Sequence, residues 1–118
     1  MIKRHTISFY HAFSGLVYSF RTQPNFAVHL FVSILAIFAG VYLRINSFEW
    51  LIITMTIFVG LVIELINTAI ESTVDLITKE FHPIAKIAKD TSAAAMLVYA
   101  FGAIIVALMI FLPKWPYI

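Results

Sequence analysis

Glu64, Asn67, Glu71 and Asp75 fall at spacings of three, four and four residues inside an otherwise apolar stretch, Glu64-Leu65-Ile66-Asn67-Thr68-Ala69-Ile70-Glu71-Ser72-Thr73-Val74-Asp75. At 100° per residue the four side chains share an arc of about 80° on one helix face. They form a row roughly 16 Å long at the helical rise. Carboxylates in a row accept protons and bind hard divalent cations through oxygen. Charge in or near a bilayer is expensive, so such a row must face a protein interior, a water-filled cleft or bound cations.

The elements that carry this row are membrane elements. The chain has 118 residues, 62% hydrophobic and 12% charged, against roughly 25% charged in ordinary soluble domains. A soluble globular domain is excluded, and the length allows one small integral membrane domain. There is no cysteine, so disulfides are excluded. The basic start Met1-Ile2-Lys3-Arg4-His5 is not followed by a short apolar core with a small-residue cleavage site, and no removable signal peptide is expected. A net charge of +2 is too small to suggest nucleic acid.

Residues 4–22 read as a helix with Ile7, Phe9, Tyr10, Phe13, Leu16, Val17 and Phe20 on one side and Arg4, Ser8, His11, Gly15 and Ser19 on the other. This segment is too polar to span and is expected to lie in the membrane interface, packing on the chain's own bundle being the alternative. Arg21-Thr22-Gln23-Pro24-Asn25 is a polar hinge, with Pro24 suited to a first helical turn. Three spans are expected, at 26–43, 48–78 and 91–112. Ser47 is the expected N-cap of the second and Trp50 its interfacial anchor. Residues 79–90 read as a polar loop. Ala93-Ala94-Ala95 and Gly102-Ala103 suit close helix approach in lipid, and Pro113-Lys114-Trp115-Pro116-Tyr117 ends the chain in an interfacial aromatic cluster.

Lys3, Arg4, Arg21, Lys79, Lys86 and Lys89 lie on one side of these spans, and Arg44 and Lys114 on the other. The positive-inside rule then makes the amino terminus and 79–90 cytoplasmic. The acidic row opens toward the side where nucleotides are found, with Glu64 deepest. Three spans make a thin bundle for a row of carboxylates, so self-association is expected.

Acidic residues beside a loop with His82, Lys86, Lys89 and Asp90 supply the parts of phosphoryl transfer: metal-holding carboxylates, a proton acceptor and cations for phosphate charge. The same spacing also suits a helix–helix seam or an ion pathway, and spacing alone leaves these open. Neither a Walker loop nor a kinase glycine loop is present. His29 sits where a histidine is usually a hydrogen-bonded packing residue. His5 and His11 read as interfacial, and no Cys/His cluster or Ser-His-Asp arrangement stands out.

The 64–75 segment, followed by Glu80-Phe81-His82, then Ala88-Lys89-Asp90 and an alanine run, resembles the prokaryotic diacylglycerol kinase and undecaprenol kinase family in motif order, spacing, length and three-span plan. The resemblance covers essentially the whole chain. It implies an all-α, homotrimeric membrane kinase with active sites between subunits, transferring phosphate from ATP to a lipid alcohol with Mg²⁺. By this resemblance Glu64 is the general base at the lipid hydroxyl and Glu71 the Mg²⁺ ligand on the nucleotide side, with Asn67 and Asp75 in support. Glu80, Phe81 and His82 match the stretch at the adenosine end, and Lys89 and Asp90 match phosphate and nucleotide contacts. A looser match puts Arg4 and His11 near the phosphates.

The segment Arg21-Thr22-Gln23-Pro24-Asn25-Phe26-Ala27-Val28-His29 is similar to the undecaprenol kinase version. It favours a polyprenol over diacylglycerol and puts Asn25 and His29 with the lipid substrate. One position departs from the family: Gln23 stands where a metal-binding glutamate is usual. An amide oxygen brings no charge to Mg²⁺, so a weaker or water-mediated contact is expected there. A non-enzymatic ion or proton conduit is the competing class. It requires polar groups through the whole membrane depth, and the outer halves of the three spans lack ionisable residues.

Overall fold

A computed structural model describes residues 1–116; Tyr117, assigned above to the terminal aromatic cluster, lies outside the described residues. Four helices follow one another: α1 (Ile2–Thr22), α2 (Pro24–Tyr42), α3 (Ser47–Ile77) and α4 (Pro83–Phe111), then a short 3₁₀ turn, Leu112–Lys114. The fold is all-helical, and α2, α3 and α4 are each long and apolar enough to cross a membrane. At 1.5 Å per residue, α3 and α4 are about 46 and 43 Å long, longer than a hydrocarbon core of about 30 Å.

Each joint has a local cause. Pro24 offers no N–H to a helix continuing from α1, so Gln23 turns extended and Pro24 opens α2 at its first position. The α2 end is a Schellman turn: Ile45 N–H donates to the Gly40 carbonyl at 3.2 Å and Arg44 N–H to the Val41 carbonyl at 3.3 Å. Arg44 takes the left-handed conformation, φ 52°, that glycine usually supplies. Ile45 folds back onto Gly40, where an added Cβ would lie 2.7 Å from the Trp50 ring and 3.0 Å from Ile45 Cδ1.

Two expected boundaries differ. The α3 N-cap is Asn46, not Ser47. Only position 46 stands three residues before Glu49, and the two close a reciprocal capping box with both bonds at 2.9 Å. The loop expected over 79–90 is confined to 78–82. Pro83 starts α4, with His82 as N-cap accepting from Ile84 N–H at 3.1 Å, so residues 83–90 are helical. An i,i+4 ion pair between Lys86 and Asp90 supports that first stretch.

The interior inverts that of a soluble protein. Buried polar side chains (Ser19, Glu64, Asn67, Thr68 and Ser92) outnumber buried apolar ones (Phe26, Ile45, Ile53 and Ile110). Large apolar side chains cover the outside, as lipid-facing surfaces require. Ile45, Ile53 and Ile110 form a small apolar core at the end near the α2–α3 turn, flanked by Trp50 and Phe111. The opposite half of the α3–α4 contact is polar. On α1, Ile7, Phe9, Tyr10, Phe13 and Phe20 are exposed, so packing on the chain's own bundle does not cover that face. Gly102 faces open space; close approach within the chain occurs at Gly40 and Gly60.

Candidate active site

The polar row runs along the α3 face that meets α4. Glu64 is 1% exposed, and neither carboxylate oxygen has a hydrogen-bond partner among the described residues. Its backbone carbonyl accepts from Thr68 Oγ1 at 3.0 Å. One turn on, the buried Asn67 accepts at Oδ1 from Ser92 Oγ of α4 at 2.5 Å, and its Nδ2 donates to Glu71 Oε1 at 3.4 Å. A further turn out, Asp75 pairs with Lys89 of α4 at 2.5 Å. The row therefore grades from a buried, unpartnered carboxylate, through an amide-held and half-buried Glu71, to an exposed ion pair.

Beyond Asp75, a cavity of about 360 Å³ opens around the 78–82 loop and the first turns of α4. Glu80, Phe81, His82, Lys86, Lys89 and Asp90 line it. Lys89 links this group to the row through Asp75, while Glu64, Asn67 and Glu71 lie outside the cavity's lining. His82 has a second duty: its Nδ1 is committed to capping α4.

Other expected residues stand apart. His29 on α2 lies against Tyr99, ring centroids 5.7 Å apart, and both line a separate, mainly apolar cavity of about 280 Å³ between α2, α3 and α4. Gln23 is half-buried at the α1–α2 joint, and Asn25 is exposed one residue past Pro24. Arg4 and His11 are exposed on α1 and do not line the loop cavity.

Two residues emerged only in three dimensions. Ser92 reaches Asn67 as described, and Tyr99 Oη donates to the Thr56 carbonyl at 2.5 Å while its ring packs over Gly60. The signal was available, since Lys89, Ser92 and Tyr99 span an arc of about 80° on α4, the construction that revealed the α3 row.

The donor set suits Mg²⁺. Among the described residues no three His, Cys, Asp or Glu side chains gather into a cage, and Mg²⁺ is characteristically held by one or two carboxylates with substrate phosphates completing its shell. Glu71, held by Asn67 and half-open to solvent, has the chemistry such a carboxylate would need.

The family model described as prokaryotic diacylglycerol kinase matches residues 10–111. An undecaprenol kinase of Bacillus subtilis is 42% identical over 113 residues, 96% of this chain and 92% of the relative. A diacylglycerol kinase of Synechocystis is 39% identical over 108 residues, covering 91% of this chain and 62% of that protein. One of Helicobacter pylori is 33% identical over 96 residues, 81% and 75% of the two chains. The chain belongs to the prokaryotic diacylglycerol kinase family and is a membrane lipid kinase.

Proposed function

We propose that this kinase transfers the γ-phosphate of ATP to the terminal hydroxyl of a membrane polyprenol, undecaprenol foremost. The observation that carries the proposal is Glu64: a buried carboxylate with both oxygens unpartnered, a turn or two deeper than Glu71 on the same face. A structural carboxylate at such a place would be paired. One that must take a proton from an incoming hydroxyl keeps its acceptors free. The lipid oxygen loses its proton to Glu64 and bonds to the γ-phosphorus. The bond from that phosphorus to the bridging oxygen breaks, and ADP leaves.

The protein's part is to align hydroxyl and phosphorus and to balance charge. Glu71 would hold the Mg²⁺, with Gln23 contributing a neutral oxygen at most. A Mg²⁺ held there would supply screening of the nucleotide's phosphate charge. Lys89, held toward Asp75, and Lys86 stand near the phosphate path. Glu80, Phe81 and His82 offer walls for the nucleoside. Arg4 and His11 would reach the nucleotide only by movement of α1.

A gap of about 290 Å³ between α1 and α3, lined by Gly15, Leu16, Leu65, Thr68 and Ala69, supports lipid entry from the interface beneath α1. With the amino terminus and 78–82 loop cytoplasmic, the lipid stays in the bilayer and ATP in water, and they meet at the row. The thinness of one three-span chain supports a homotrimer supplying the missing walls. The 42% identity to an undecaprenol kinase and the Asn25–His29 segment favour the polyprenol. The 39% identity to a diacylglycerol kinase makes diacylglycerol the second reading. A conduit is disfavoured by the Glu49–Lys114 pair and the apolar Ile45, Ile53 and Ile110 that close the far end.

Purified protein with labelled ATP and Mg²⁺, offered undecaprenol and diacylglycerol separately in mixed micelles, tests this. The expected result is a higher kcat/KM for undecaprenol. Preference for diacylglycerol overturns the lipid assignment, and labelling of neither overturns the reaction.

A further inference from the structure

Hydroxyls in apolar helices usually satisfy themselves on their own backbone, donating to the carbonyl four residues earlier. Thr6, Ser8, Ser14, Thr22, Ser33, Thr56, Thr68 and Thr73 all do so here. Ser92 does something else: among the described residues it is the one helical Ser or Thr hydroxyl that donates to a different helix. Its target is Asn67 Oδ1, and donor and acceptor residues are both buried, 7% and 6% exposed.

An amide has two distinct ends. Glu71 Oε1 is an acceptor, so it requires the NH₂ of Asn67, and the Ser92 hydroxyl supplies the donor that the amide oxygen then needs. Without that hydroxyl, Oδ1 becomes a buried acceptor with no donor, which the side chain relieves by turning away from its present position. We infer that Ser92 is a positioning residue for the kinase reaction: it fixes the orientation of Asn67 so that the amide NH₂ braces the Glu71 carboxylate in its metal-holding pose. The inference rests on the proposed role of Glu71. It joins a buried residue of α4 to the Asn67–Glu71 part of the α3 row, and it gives the α3–α4 contact a part in metal affinity.

Ser92→Ala, with Ser92→Thr as the conservative partner, tests it. Ser92→Ala is expected to raise the Mg²⁺ concentration for half-maximal activity on the order of tenfold, the usual worth of one buried hydrogen bond to a site. KM for the lipid is expected to stay as it was. Ser92→Thr is expected to restore the Mg²⁺ requirement. Independently of turnover, Mn²⁺ binding in the presence of a non-hydrolysable ATP analogue, followed by electron paramagnetic resonance, should weaken by the same factor in Ser92→Ala and recover in Ser92→Thr.

An unchanged Mn²⁺ affinity in folded Ser92→Ala overturns the positioning role. So does an equal loss in Ser92→Ala and Ser92→Thr, which would mark a packing defect. A wild-type protein that phosphorylates no lipid defeats the functional reading instead, and Glu71→Gln binding Mn²⁺ as the wild type does defeats the metal assignment.

Discussion

Two glutamates on α3, fifteen residues apart, show how differently one helix can use the same side chain. Glu49 accepts from Asn46 N–H at 2.9 Å and from Lys114 Nζ at 3.2 Å. It starts α3 and ties that end to the end of α4. Glu64 is more deeply buried, and its carboxylate has no hydrogen-bond partner among the described residues. Both contacts fall on Glu49 Oε2 and serve the fold, whereas the Glu64 carboxylate contributes nothing to it that a hydrogen bond would register. A carboxylate left unpaired in an apolar helix is a stability cost, and the proton-accepting role proposed above gives a reason to carry it.

The contrast is sharpest at Glu64. Glu64→Gln is expected to lower kcat by about 10²–10⁴-fold, the usual contribution of a general base. The melting temperature in detergent should hold or rise, because an unpaired buried charge is removed. Loss of stability with activity retained would reverse the two glutamates' roles. A smaller effect is expected at Gln23, where Gln23→Glu adds a charged oxygen at the α1–α2 joint and should lower the Mg²⁺ requirement several-fold. An unchanged or increased requirement would separate position 23 from the metal.

At the other glutamate the effect moves from rate to stability. Glu49→Gln weakens the capping box and breaks the pair with Lys114, so thermal melting should fall by a few degrees while turnover is kept. The smallest effect is expected at the exposed Lys86–Asp90 pair, where Lys86→Met should leave the melting temperature unmoved.

The α3 row was legible because periodicity needs no partner: Glu64, Asn67, Glu71 and Asp75 stand out wherever the helix packs. The three apolar helices were legible from length and composition in the same way. Element ends were harder. Pro83 was read as a mark of the loop, yet proline at a first helical position is as ordinary as proline at a break, and only His82 capping the next turn decides between them. Asn46 and Ser47 are both good N-caps, and the choice depended on which one reaches Glu49.

Ser92 and Tyr99 were silent for a different reason. A single hydroxyl in an apolar run is satisfied by its own helix by default, so its meaning comes entirely from the side chain opposite. The expected 79–90 loop differs in its second half: Lys86, Lys89 and Asp90 ride on the same helix that carries Ser92 and Tyr99.

The uninterrupted length of α3 has one more consequence. Glu64 stands about 22 Å along the helix axis from Glu49. Under the proposed topology, with the Glu49–Lys114 pair at the outer boundary of a hydrocarbon layer about 30 Å thick and α3 near the bilayer normal, the carboxylate would come to rest about 8 Å short of the inner boundary. The helix is in effect a ruler. Lipids with longer chains thicken the layer and leave that carboxylate farther from the water that carries ATP, while shorter chains bring it closer. On the proposed role of Glu64, turnover is expected to follow the acyl-chain length of the surrounding membrane as well as the identity of the lipid being phosphorylated.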